Sequence, residues 1–170
     1  KVSIVRSNQV WALDTTYIPM ARGFVYLTAV VDVASRRVLA HKVAITLEAC
    51  HAREVIDAAF ARHGTPEIVN TDQGSQFTAE TFTESVLAQG CKLSMDGRGA
   101  WRDNVFVERV WRSVKYERVY LKAYDSVSAA RADIADYIHW YNTGRPHSSL
   151  SDATPEQAYL DWLPKLAEAA

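Results

Sequence analysis

Three carboxylates are the residues in this sequence best placed to do chemistry. Asp14 lies inside "VWALDTTYI" (10–18), Asp72 follows Ile68-Val69 in "NTDQGSQF" (70–77), and Glu108 sits in a stretch with basic residues one and two helical turns further on. An aspartate amid Trp11, Leu13 and Tyr17 is costly to bury, so it should face a cleft, a partner or a metal. A strand ending at Asp72 before a glycine turn carries the carboxylate to the rim of a sheet, where α/β folds bind ligands; the plainer alternative is a turn cap. If the carboxylates meet, they repel unless cations neutralise them. Two divalent ions ~3.5–4 Å apart can then activate an attacking oxygen and stabilise the leaving oxygen of a phosphodiester. With 20 acids in 170 residues, the 35 residues between Asp72 and Glu108 decide nothing, and the expectation rests on the surrounding elements.

Those elements can be read from periodicity and punctuation. Residues 10–18, 24–33 and 37–45 are rich in strand formers and divided by polar turns, which predicts a three-strand meander. Thr46 is the expected N-cap of a helix through Val55, Ile56 and Phe60 that stops at Gly64-Thr65-Pro66. "EIVNTD" returns as a fourth strand, a second helix runs from about Thr78 to Ala88, and "CKLSM" (91–95) makes a fifth strand. If the first and fourth strands are neighbours, Asp14 and Asp72 sit side by side. "DGRGAWRD" (96–103) reads as a flexible loop, followed by a helix from Asn104 to Leu121 with Val107, Val110, Val114 and Leu121 on one face. A helix near 127–141 and a capping-box start at "TPEQ" (154–157) complete an α/β order, βββαβαβα, with no internal repeat.

Bulk properties limit the function classes. A chain with 48% hydrophobic residues can bury a substantial core as one domain, which excludes a disordered protein. Two cysteines without a C-x-x-C, and no long apolar run, fit a reducing cytoplasm and no membrane partner. A net charge of −1 argues against coating nucleic acid by bulk attraction, yet residues 97–122 hold seven basic side chains against three acids, a local +4. That basic segment carries Glu108; its plain reading is a solvated helix face.

"DTTYI", "YLTAVVDVASRRVLA", "NTDQGSQF", "RDNVFVERVWRSVKYE" and "YIHWYNTGRPHSSLSDATPEQAY" resemble the catalytic core of bacterial insertion-sequence transposases of the retroviral-integrase superfamily, over about residues 8–160. The resemblance implies a ribonuclease-H-like fold with a five-stranded mixed sheet flanked by helices, and an Asp-Asp-Glu triad at Asp14, Asp72 and Glu108 that is both catalytic and metal-binding. It also implies Mg²⁺ or Mn²⁺ as cofactor, two ions, with DNA (transposon ends and target) as partner and a homo-oligomer as the active form. The domain organisation it suggests is a linker at 1–9 following an N-terminal DNA-binding region, a catalytic core at 10–162 and a tail at 163–170. The family's basic residue seven positions after the glutamate matches Lys115; Arg112, four positions after it, is expected to face the same way. Arg102 and Arg145 complete the expected DNA contacts.

The expected activity is therefore metal-dependent cleavage of transposon ends and 3′-OH strand transfer in the bacterial cytoplasm, at the nucleoid. Its rivals are a nuclease of the same fold that does not join strands and an inactive DNA-binding module. Asp32, before "ASRR", reads as a turn initiator. Asp103 reads as a helix N-cap and is the substitute should Glu108 point away. The other histidines lack zinc spacing with the cysteines, while His147 in "GRPHSSL" could approach DNA or pack structurally. Trp101 could stack on a base or anchor a loop.

Overall fold

The computed structural model describes residues 3–95 and 97–165, with the backbone alone from 97 to 104. Strands β1 (Val10–Pro19), β2 (Phe24–Asp32) and β3 (Val38–Ala44) form the expected antiparallel meander. Gly23, at φ +70°, turns the first hairpin, and its carbonyl accepts from the Met20 N–H at 3.0 Å. The chain then crosses over through helix α1 (Ala49–His63) to β4 (Ile68–Asn70), and through the short α2 (Ser75–Thr78) and α3 (Glu80–Ala88) to β5 (Lys92–Ser94). β4 is parallel to both β1 and β5, giving the mixed sheet order β3-β2-β1-β4-β5. Helices α4 (Gly97–Glu117), α5 (Val127–Thr143) and α6 (Pro155–Asp161) follow.

Strand alternation divides the side chains of β1 between two cores. Trp11 and Leu13 face α1 and α3, packing with Ile56, Phe60, Phe82 and Val86. Val10, Ala12 and Ile18 face the opposite way, against Val107, Val110 and Val114 of α4 and Ile134 and Tyr137 of α5. A period of two therefore directs the even positions of β1, Asp14 and Thr16 among them, toward α4.

Several expectations are corrected at element ends. The N-cap of α1 is Glu48 rather than Thr46, and the Thr46 hydroxyl instead donates to the Glu48 carboxylate at 2.7 Å. The helix expected from Thr78 is two helices, because Ala79 takes an extended ψ of 142°. From Gly97 onward the expected loop is helical: α4 starts seven residues before Asn104, and Asp96 lies outside the described residues. Val107, Val110 and Val114 dock one stripe of α4 on the sheet. Once that stripe is nucleated, each added residue gains a backbone hydrogen bond, which offsets the ~1 kcal/mol cost of each glycine. The side chains of Arg98, Trp101, Arg102 and Asp103 also lie outside the described residues. At its other end α4 stops at Glu117, a 3₁₀ turn over Val119–Leu121 follows, and Leu121 is exposed rather than part of the apolar face.

The C-terminal capping box is present as expected. Thr154 accepts from the Gln157 N–H at 3.2 Å while the Gln157 side chain accepts from the Thr154 N–H at 3.0 Å. Ahead of β1, Ser7 is tied to this helix: its N–H donates to Trp162 O and its hydroxyl to Tyr159 O.

Candidate active site

Sheet register brings the two aspartates together. Ala12 pairs with Asn70 across the parallel β1/β4 ladder, so two residues further along each chain Asp14 and Asp72 emerge as neighbours at the carboxyl end of β4. Asp14 is half-buried and Asp72 exposed. Burial, chiefly, and the neighbouring Asp72 carboxylate push the Asp14 carboxyl up to about 6, against the lowering effect of a hydrogen bond from Trp111. That bond runs from the indole Nε1 to Asp14 Oδ2 at 3.1 Å.

Asp72 is held from its own loop. The Gly74 N–H donates to Asp72 Oδ1 at 2.7 Å, closing a tight Asx turn. Gly74 has an ordinary extended backbone, but a Cβ there would lie 2.9 Å from Asp72 Oδ1 and 2.6 Å from Gln76 Oε1. Glycine is thus required by close approach rather than by φ. Gln76 is buried under this loop and donates to Thr15 Oγ1, which in turn shares a 2.8 Å hydrogen bond with Thr28.

Helix α4 supplies the third side of the site. Trp111 and Lys115 lie four residues apart on the face that meets the even positions of β1; Lys115 Nζ donates to Thr16 Oγ1 at 2.7 Å. Burial lowers the Lys115 pKa and the Asp14 charge opposes that fall, so the ammonium lies within the field of the Asp14 carboxylate. Glu108, one turn before Trp111, is exposed. Its carboxylate and those of Asp14 and Asp72 do not all lie within 4.8 Å of one another. Among the described residues, the one trio of His, Cys, Asp or Glu ligand atoms lying within 4.8 Å of one another is Glu48, Cys50 and His51, at the N-terminal end of α1.

Arg112 does not follow Lys115. It lines a neighbouring cavity of about 520 Å³ together with Arg145, and its guanidinium lies 5.5 Å from the Tyr116 ring. The expectation that the two cations share one face is corrected: at 100° per residue, a step of three separates Arg112 from Lys115 by about 60°, enough to carry it around the edge of the helix. Nor does Arg112 pair with Glu108 among the described residues. Arg145 is itself held by Glu117, with bonds of 2.8 and 2.6 Å.

Asp32 has the turn role expected of it and one more. Its carboxylate accepts from the Ser35 N–H and hydroxyl, and also from the Asn8 N–H at 2.8 Å. Trp111, Thr16 and Gln76 were not legible as site residues. Trp111 alone left a signal, an indole three residues after Glu108.

A neighbouring pair of carboxylates at the carboxyl end of β4, with a third on the facing helix, offers oxygen donors suited to a hard divalent cation, and Lys115 stands beside them. The Asp14 carboxyl is raised chiefly by burial, with the Asp72 carboxylate adding to the effect. One family model, described as integrase core domain, matches residues 5–100, and a second of the same description matches 89–155. The chain belongs to the integrase core domain family. Among curated proteins this integrase core domain is 32% identical over 152 residues to a transposase for insertion sequence element IS904 from Lactococcus lactis, covering 88% of this chain and 60% of that protein. It is also 32% identical over 153 residues to transposase InsF for insertion sequence IS3A from Escherichia coli, covering 88% and 53%. The chain thus spans a little over half the length of these relatives.

Solved structures share the fold. The catalytic core domain of HTLV-2 integrase, described in complex with magnesium, superposes with a TM-score of 0.70 at 22% identity, covering 91% of this chain and 98% of that one. The catalytic core domain of BIV integrase gives 0.71 at 21% identity, covering 91% and 95%. The fold is ribonuclease-H-like, as the family resemblance implied. Among the described residues no helix is long and apolar enough to cross a membrane.

Proposed function

We propose that this integrase core domain is the catalytic part of a DNA transposase that cleaves the ends of its element and joins the exposed 3′-OH to target DNA. The observation that carries this reading is the Asp14–Asp72 pair, placed side by side by strand register at the sheet rim, with the Asp14 carboxyl pushed up to about 6 in a family of polynucleotidyl transferases. Asp14, Asp72 and Glu108 are the residues that would hold Mg²⁺ or Mn²⁺, two ions in all. The bound metal would supply activation of the nucleophile and neutralisation of charge developing on phosphate oxygens.

The chain's own groups have distinct tasks. Trp111 fixes which Asp14 oxygen is presented, because its indole N–H occupies Oδ2. Gly74 does the same for Asp72 by binding Oδ1. Lys115, anchored on Thr16, places a cation where a scissile phosphate can approach the carboxylates. In each step water or a DNA 3′-hydroxyl attacks phosphorus, one O–P bond forms, the opposite P–O bond breaks, and no covalent enzyme intermediate is needed. Arg112 and Arg145 contact DNA phosphates beside this centre; Arg102 is proposed to do so on the basis of its sequence position. Residues 10–162 form the catalytic core, with 1–9 connecting to a DNA-binding region, 163–170 as a tail, and oligomers as the active state on bacterial DNA in the cytoplasm.

The test is joining of labelled element ends to target DNA by the full-length protein with Mg²⁺ or Mn²⁺. Joined product that disappears in Asp72→Asn supports the assignment. Hydrolysis without joining points to the nuclease reading, and end binding without either reaction points to an inactive module.

A further inference from the structure

Beside the carboxylate centre, on the next face of α4, Arg112 and Arg145 belong to a larger basic cavity that takes no part in the bond-making steps themselves. The cavity of about 520 Å³ brings Arg109 and Arg112 from α4 together with Arg36 from the β2–β3 turn, and with Arg145 and His147 from the segment after α5. Four guanidinium groups face one carboxylate, Glu117. That carboxylate is already engaged by Arg145 and by the Tyr137 hydroxyl at 2.6 Å. Among the described residues Arg36, Arg109 and Arg112 form no ion pair.

The cavity is held in shape at some cost. Arg36 has a left-handed backbone, φ +68°, which is unfavourable for a side chain with a Cβ. Its guanidinium donates to Val33 O at 2.6 Å and lies 3.6 Å from the centre of the Phe106 ring. Burial and the neighbouring Arg109 charge push its pKa down to about 10, so like charges are crowded rather than dispersed. His147 is fixed by a loop with two consecutive left-handed residues, Ser151 and Asp152, whose Asp152 N–H donates to His147 O. Its ring meets Tyr141 edge-on at 4.9 Å, and its Nε2 is buried without a hydrogen-bond partner. Crowded cations, an unpartnered imidazole nitrogen and left-handed backbone in two separate segments stabilise nothing in isolation; an anion in the cavity would neutralise the first and satisfy the second.

We infer that the Arg36–Arg109–Arg112–Arg145–His147 cavity is a separate phosphate-binding subsite that grips the DNA backbone next to the reacting end. The inference rests on the DNA reading above and deepens it. Arginine forks match the geometry of phosphate oxygens, and Arg109 and Arg112 share a helix with Glu108. Backbone gripped here would therefore be positioned relative to the carboxylates by one rigid element.

The experiment uses the isotope-labelled protein in EDTA, titrated first with sodium pyrophosphate and then with a short DNA duplex at several salt concentrations. Of the five histidine ring signals, that of His147 should shift saturably with pyrophosphate while the others stay nearly fixed. An Arg109→Gln/Arg112→Gln variant changes two exposed side chains and should keep the wild-type melting temperature. It should weaken pyrophosphate binding at least ~10-fold and reduce the slope of log affinity against log salt for duplex by ~1.8, at ~0.9 for each lost phosphate contact. The exposed control Lys92→Gln should leave both unchanged. Duplex binding with an unmoved His147 signal, or an unaltered slope in the double variant, overturns the subsite while leaving the transposase reading intact. A saturable His147 shift without any duplex binding overturns the DNA occupant together with the reading on which it rests.

Discussion

Trp111 and Asp14 are joined across the sheet–helix interface: the indole Nε1 donates to Asp14 Oδ2 at 3.1 Å, three residues after Glu108. The bond connects the strand carrying one carboxylate to the helix carrying another. Trp111→Phe removes the donor and keeps most of the packing. It should destabilise the fold by ~1.5–3 kcal/mol, the range for hydrogen bonds to charged groups, and raise the Asp14 pKa further. Thermal melting together with the pH dependence of Mn²⁺ binding checks this; an unchanged binding profile would mean that the indole contributes packing alone.

Asp14→Asn should stabilise the metal-free protein at neutral pH. A carboxyl raised from 3.8 to about 6 binds more protons when folded than when unfolded, so its contribution falls as pH rises through that interval. Asparagine keeps an oxygen for Trp111 and abolishes the titration. The expected gain is about 3 kcal/mol at pH 7, since each pKa unit corresponds to ~1.4 kcal/mol, and it should largely vanish as pH approaches 4. Denaturation at pH 4, 5.5 and 7 in EDTA gives the comparison, and a variant less stable than wild type at pH 7 would contradict it.

Gly74→Ala should damage chemistry more than folding. The new Cβ would meet Asp72 Oδ1 at 2.9 Å and Gln76 Oε1 at 2.6 Å, both at the ends of movable side chains. The side chains can shift at a cost of ~1 kcal/mol or less, but the Asp72 carboxylate then leaves its position. Strand joining should fall by ~100-fold or more, the scale set by a displacement of about 1 Å in an active site. A joining rate within twofold of wild type would show that Asp72 needs no such hold.

Most of the sheet was legible because alternation, glycine turns and apolar runs agreed, while the Asp14–Asp72 neighbourhood was conditional on the first and fourth strands pairing, which the sheet order supplies. The start of α4 was not, since Gly97 and Gly99 read locally as a loop while the force that keeps the helix is the docking of Val107, Val110 and Val114 several turns later. Arg112 was misdirected by counting positions from Glu108 without allowing for the width of the helix. The basic cavity was invisible because Arg36 and Arg145 are more than 100 residues apart and meet only after β3, α4 and α5 have packed.

Lys115→Ala should act on DNA rather than on the fold. Losing one phosphate contact lowers the slope of log affinity against log salt by ~0.9 on duplex, while Lys115→Arg, keeping the charge, should retain most of it. Salt titrations of end binding by both variants decide the matter. A slope unchanged in Lys115→Ala would reduce this lysine to a structural partner of Thr16.

The most direct measurement is Mn²⁺ anomalous diffraction from crystals of the protein soaked at pH 7.5, well above the Asp14 titration. The predicted result is an anomalous peak coordinated by Asp14 and Asp72, with the Glu108 carboxylate drawn toward a second ion, and loss of the first peak in Asp72→Asn. No peak between the two aspartates, or manganese only at Glu48, Cys50 and His51, would contradict the assignment of this carboxylate group as the catalytic centre.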